Sequence, residues 1–331
     1  MHAMVLTQLG APLVWTELPD PQPGPGQNRV TVAACGVCRT DLHMVDGELP
    51  HPQLPIIPGH EIVGRIDAIG AGVVGLDHGQ RIGIPWLGHT CGVCAYCRMQ
   101  RETRCDRPLF TGYTRDGGFA TATVADARFA LPLGEQGSDA ALAPLLCAGL
   151  IGWRALAMAG DGKNLGLYGF GAAAHILAQV ARLQGRSVFA FTRPGDLATQ
   201  AFARSLGASW AGDADEMPPQ LLDAAILFAT AGDLVPTVLK AVRKGSRVVC
   251  AGLHMSDIPI FPYSLLWEER QVLSVANLTR QDGLAFLGQM PQMGIVTTTT
   301  RYPLQQANQA LADLRAGRFD GAACWCRDHV I

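Results

Sequence analysis

The sequence predicts an α/β protein of two domains: an irregular β-rich domain from residues 1–149 and 280–331, and a doubly wound parallel-sheet domain from residues 150–279. Three observations predict it. A length of 331 residues makes two domains at roughly 150 residues each, and each is large enough to bury its own core. Before about residue 138 the chain is punctuated by Pro and Gly, with short β-like runs and no long helical period. From residue 164 onward, apolar strands alternate with helical periods.

Composition narrows the function before any motif is read. Hydrophobic residues are 48% of the chain and charged ones 16%, which fits a packed protein and excludes long disorder. The net charge is -2 and no basic stripe is present, so nucleic-acid binding lacks its electrostatic footprint. The first Lys or Arg is Arg29, so neither the charged n-region of a signal peptide nor an Arg-rich transit sequence is expected at the N-terminus. The longest uncharged apolar stretch, Ala140 to Trp153, contains Pro144 and falls short of the roughly 18 residues of a membrane span. A soluble, cytoplasmic protein is expected, and its ten cysteines are then ligands or buried thiols rather than disulfides.

Taken in chain order, the first cluster is Cys35-Gly-Val-Cys38-Arg-Thr-Asp-Leu-His43, followed by His60-Glu61 in Pro58-Gly-His-Glu. Next come Cys91, Cys94, Cys97 and Cys105 in the pattern C-x2-C-x2-C-x7-C. Four thiolates on short loops close a tetrahedral structural zinc site, and the polar residues around them argue against a core of free thiols. Cys147 follows in Leu145-Leu-Cys-Ala-Gly149. Cys38, His60 and Cys147 together supply two thiolates and one imidazole, a set that leaves a fourth zinc position for water or substrate.

The second domain opens with a strand at Asn164–Tyr168 and the turn Gly169-Phe-Gly171-Ala-Ala-Ala174. A helix from His175 to Gln184 and a strand from Ser187 to Phe191 follow. This is a Rossmann unit: Gly169 permits the tight turn, Gly171 lets the backbone approach a pyrophosphate, and Ala174 stands in the third small position. Further helices are expected at Leu197–Leu206 and Leu234–Val242, and strands at Leu221–Ala229, Arg247–Ala251 and Val272–Ala276; with these five strands placed, a doubly wound sheet of six parallel strands fits. A helix at Gln305–Ala316 and a strand at Ala322–Cys326 return the chain to the first domain.

With these motifs in place, the whole chain resembles the zinc-containing medium-chain dehydrogenase/reductase family, and within it the alcohol dehydrogenases. The resemblance rests on the Cys38–His43 and Gly59–Glu61 motifs, the Cys-rich lobe, Gly117-Gly-Phe-Ala120, Cys147 and the dinucleotide fold. It implies a GroES-like catalytic domain and two zinc ions per chain. Cys38, His60 and Cys147 would hold the catalytic one, with Glu61 behind them as an occasional ligand and Asp41 fixing the tautomer of His60. It also implies a cleft with zinc on one side and nicotinamide on the other, in which Thr40 takes the alcohol proton and passes it through the cofactor ribose to His43. Arg39 would reach the pyrophosphate. Trp86 and Leu49 fall in the pocket-lining region, so primary alcohols and aldehydes are the expected substrates. A homodimer or homotetramer is the family expectation.

The cofactor departs from the usual pattern. NAD enzymes place an acid about 20 residues after the glycine turn to bind the adenosine ribose. Here that count reaches Phe191, followed by Thr192, Arg193, Pro194 and Gly195, with Asp196 well past the strand. Thr192 and Arg193 could instead donate to a 2′-phosphate, so NADP(H) is favoured over NAD(H). The competing functions are a metal-independent quinone or enone reductase and a zinc-stabilised scaffold, and the intact ligand set with Thr40 and His43 disfavours both. Cys35 and Cys250 are read as packing residues; Cys324 and Cys326, two apart on one face of the last strand, are read as packing in preference to an adventitious metal pair.

Overall fold

The computed structural model describes residues 1–50 and 52–327, and the chain divides into two compact units. One comprises Met1–Cys147, Leu278–Pro291 and Val296–Ile331, and the other Ala148–Asn277 with Gln292–Ile295. The domain end expected at residue 331 lies outside the described residues.

The first unit is built round a seven-stranded sheet in which the long strand Gln27–Val37 is central. Its sequence alternates, and so does its burial: Val30, Val32 and Ala34 are buried while the residues between them are partly exposed, as the two-residue period of a strand requires. It pairs antiparallel with Ile62–Ile69, Ala122–Asp126 and Ala322–Cys326. Register shifts at Arg29/Val30 and Val32/Ala34 mark bulges against Ile62–Ile69, which bend the strand. Ile62, Ile66, Ile82, Phe119 and Trp325 form the core. At eleven residues, Gln27–Val37 is longer than the short strands expected, and the seven-residue helix Arg39–Val45 grows from its end.

The second unit carries six strands, every neighbouring pair parallel. In chain order they are Asn164–Tyr168, Ser187–Thr192, Trp210–Asp213, Leu222–Leu227, Val242–Cys250 and Gln271–Ser274. Numbered in that order they lie 3-2-1-4-5-6 across the sheet, the Rossmann arrangement. The sheet therefore has the expected number of strands, although Trp210–Asp213 was not foreseen. Helices Ala172–Leu183, Leu197–Ser205 and Leu234–Ala241 fall where the helical periods lie. Ala148–Ala159 is a further helix in a stretch too uniformly apolar to show a period. Among the described residues no single helix is long and apolar enough to cross a membrane.

Candidate metal centres and dinucleotide turn

The end of strand Gln27–Val37 and the start of helix Arg39–Val45 place Cys38 at a sharp junction. The Cys38 N–H donates to Asp41 Oδ2 at 2.8 Å, satisfying a donor that a helix start leaves open. The other carboxylate oxygen of Asp41 accepts from Gly59 N–H at 3.2 Å and lies 3.2 Å from His60 Nδ1. One buried carboxylate thus ties the Cys38 turn to the His60 loop. Gly59 adopts φ +95°, and a Cβ there would come within 2.5 Å of the Phe119 ring, so only glycine serves. Gly36 is bare for a second reason: a Cβ would overlap the Glu61 carboxylate.

These constraints bring Cys38, His60, Glu61 and Cys147 together, with one ligand atom from each within 4.8 Å of the others. His60 Nε2 is buried with no hydrogen-bond partner among the described residues, a costly state for a polar atom unless an electrophile sits against it. The Cys38 and Cys147 sulfurs are 3.9 Å apart. Their hydrogen bond pushes the Cys38 thiol well below its ordinary range, against burial and with help from His60. The same bond, with burial, raises Cys147. Burial opposes the His60 imidazolium, but the Asp41 charge and hydrogen bond outweigh it and raise that pKa. Burial, then Cys38, raises Glu61. Two soft sulfurs, an imidazole nitrogen freed by its Nδ1 partner and a carboxylate fit a zinc ion.

Thr40 and His43 stand three residues apart on helix Arg39–Val45, a spacing that shares a face. His43 Nδ1 bonds the carboxylate of Glu48, a partner that sequence reasoning did not single out, because Glu48 lies beyond the helix in an unremarkable turn. Arg39 is exposed at the helix start. Trp86 is buried and meets the His60 ring edge-on, centroids 5.1 Å apart, while stacking on Phe110 and Tyr113. Leu49 is buried in the same apolar cluster.

The second group, Cys91, Cys94, Cys97 and Cys105, also has all four sulfurs within 4.8 Å. Short turns aim backbone N–H groups at them: Cys91 N–H lies 3.3 Å and Arg107 N–H 3.4 Å from the Cys105 sulfur, and Cys94 N–H 3.4 Å from that of Cys91. The N–H groups of Val93 and Cys94 lower the Cys91 thiol to about 6, whereas burial raises Cys97 to about 12. Such N–H donors stabilise thiolates, so this lobe also fits zinc. Buried Glu102 accepts from the backbone N–H and the guanidinium of Arg280, both at 3.0 Å, and so anchors the lobe to helix Arg280–Met293.

In the second unit Gly169 adopts φ +86°, and a Cβ would lie 2.8 Å from the Ala229 nitrogen. Gly171 precedes the helix Ala172–Leu183, and a Cβ there would meet nothing within 4 Å. That space beside open helix N–H groups suits a pyrophosphate. Ala174 is fully buried. Arg193 is exposed, whereas Thr192 is buried, its hydroxyl donating to the Arg193 or Gly212 carbonyl and accepting from Gln200. Asp196 does not turn back toward the strand end; it caps helix Leu197–Ser205 through Thr199. Sequence reasoning missed Asp213, at the end of the unforeseen strand, which accepts from Gly195 N–H and Gln200 and fixes the turn.

Comparison with known proteins gives a consistent result. Residues 24–135 match the alcohol dehydrogenase GroES-like domain. The chain is 49% identical to a probable alcohol dehydrogenase, AdhA, of Mycobacterium tuberculosis over 92% of its own length and 89% of the relative. It is 32% identical to an alcohol dehydrogenase of Geobacillus stearothermophilus over 97% of its length and 98% of the relative. The solved alcohol dehydrogenase of Aeropyrum pernix superposes with a TM-score of 0.89 at 26% identity, covering 98% of this chain and all of that one.

Proposed function

The chain belongs to the zinc-type medium-chain family of NAD(P)-dependent alcohol dehydrogenases, and from that premise we propose that it is zinc-dependent, prefers primary alcohols and aldehydes, and uses NADP(H). The observation that carries the zinc reading is the convergence of Cys38, His60, Glu61 and Cys147 on one point, with His60 Nε2 lacking a hydrogen-bond partner among the described residues.

Cys38 Sγ, His60 Nε2 and Cys147 Sγ would hold the catalytic ion, with Glu61 as an alternate oxygen donor. A zinc ion bound there supplies Lewis acidity that lowers the pKa of a coordinated alcohol and readies its carbon to release hydride to the nicotinamide. Asp41 fixes the proton on His60 Nδ1, which keeps Nε2 a lone-pair donor. The Thr40 hydroxyl accepts the alcohol proton and passes it toward His43, whose Nδ1 is held by Glu48. The lobe of Cys91, Cys94, Cys97 and Cys105 would hold a second, structural zinc, whose binding energy is folding energy.

Trp86 supports the substrate preference. Its ring lies against His60 and is clamped by Phe110 and Tyr113, so it does not yield to a bulky second substituent on the alcohol carbon. Three features support NADP(H): exposed Arg193, the lack of an acid between Phe191 and Gly195, and the commitment of Asp196 to capping. The zinc reading is tested by NADPH formation from benzyl alcohol before and after chelation. Activity should fall with loss of metal and return on adding zinc. Full turnover in metal-free protein would overturn it.

A further inference from the structure

The last strand of the first unit, Ala322–Cys326, is buried along its whole length, and it carries Cys324 and Cys326 two residues apart, hence on one face. Their sulfurs lie 3.2 Å apart. That is closer than the 3.9 Å between Cys38 and Cys147 or the 4.0 Å between Cys91 and Cys97, the pairs that face a common metal point. Among the described residues no His, Asp, Glu or further Cys joins Cys324 and Cys326 in a group of three ligand atoms.

The two thiols differ in access. Cys324 is 0% exposed, whereas Cys326 is 9% exposed and lines a cavity of about 330 Å³. Arg65, Arg81, Arg301, Glu135 and Asp139 share that cavity. Arg65 pairs with Glu135 and Arg81 with Asp139, so Arg301 leaves the lining with positive charge. Arg301 stands beside Cys324 in parallel register on strand Thr299–Tyr302. Positive surroundings and an opening to solvent are what make a thiol reactive.

We propose that Cys326 and Cys324 form a peroxide-sensitive dithiol, with Cys326 as the attacking and Cys324 as the resolving thiol. The Cys326 sulfur attacks a hydroperoxide oxygen and the O–O bond breaks, giving a sulfenic acid and an alcohol, or water from hydrogen peroxide. The Cys324 sulfur then attacks the Cys326 sulfur. The S–S bond forms, the S–O bond breaks, and the departing hydroxide takes the Cys324 proton as water. Two electrons pass from the thiols to the hydroperoxide. Closure starts from sulfurs already 3.2 Å apart; Cα atoms two apart in a strand, about 6.6 Å, stand at the far end of the disulfide range of about 4.4–6.8 Å, so the strand puckers locally as the bond forms.

Trypsin isolates both residues in one peptide, Phe319–Arg327, which contains no other cysteine. The zinc-loaded enzyme is treated with a small molar excess of hydrogen peroxide, alkylated and digested. The peptide should be unalkylated and lighter by two hydrogen atoms, and dithiothreitol before alkylation should restore the doubly alkylated form. In Cys324→Ser, dimedone should trap a sulfenic acid on Cys326. A wild-type peptide that stays doubly alkylated, or passes to sulfinic acid without a disulfide, overturns the proposal. Equal dimedone labelling of Cys324 in Cys326→Ser overturns the assigned order.

Discussion

Asp41 Oδ1 lies 3.2 Å from Nδ1 of His60, and both side chains are only 1% exposed. The same carboxylate holds the backbone N–H groups of Cys38 and Gly59, so one residue orients two ligands of the proposed catalytic zinc. Asp41→Asn keeps the shape and removes the charge that fixes the His60 tautomer. Zinc affinity at the catalytic site should drop by about 10–100-fold, read by competition with a chromophoric chelator. Unchanged affinity would remove Asp41 from the site.

His43→Gln should slow alcohol oxidation by up to about 100-fold, the lower end for a lost acid–base group. The deficit should be largest near neutral pH and shrink as imidazole buffer is added. Glu48→Gln should give a smaller loss of the same kind, since it alters only the partner of His43 Nδ1. A wild-type pH profile in His43→Gln would exclude the relay.

His175, in helix Ala172–Leu183, is 0% exposed, and burial, only partly offset by the Gly171 and Ala172 backbone, lowers its pKa from 6.5 to about 4. The unfolded chain therefore binds a proton between pH 6.5 and 4 that the folded chain refuses, and stability falls as pH drops through that window. The loss at pH 5 is about 2 kcal/mol relative to pH 7. Urea unfolding of His175→Leu should show a correspondingly smaller fall between pH 7 and pH 5. Parallel curves for variant and wild type would contradict the assignment.

Arg193→Ala should lower kcat/KM for NADP by roughly ten-fold or more, as expected for a lost charge-assisted contact to phosphate, while leaving NAD nearly unchanged. An NAD preference in the wild type, untouched by the substitution, would show that the turn fixed by Asp213 serves the ribose hydroxyls.

Local chemistry was legible and tertiary partnership was not. The spacing of Cys91, Cys94, Cys97 and Cys105 contains its own geometry, and Gly169 announces its positive φ. The strand Trp210–Asp213 is four residues with a glycine inside, too short to show alternation, and with it Asp213 was lost. Helix Arg280–Met293 carries Gly283, Gly288 and Pro291, which blur its apolar face. Glu48 gave no sign in the sequence, because its role comes from reaching back to His43. Thr192 looked available as a donor, and only the positions of the Arg193 and Gly212 carbonyls show that its hydroxyl proton is committed.

The central claim is that zinc sits at two places with different roles, and anomalous diffraction at the zinc edge from crystals of active enzyme tests it most directly. Two peaks per chain are predicted, one among Cys91, Cys94, Cys97 and Cys105, the other bounded by Cys38 Sγ, His60 Nε2 and Cys147 Sγ. Cys147→Ser should remain folded, lose turnover and lose or weaken only the second peak. A single peak in the four-cysteine lobe of fully active enzyme would contradict the account.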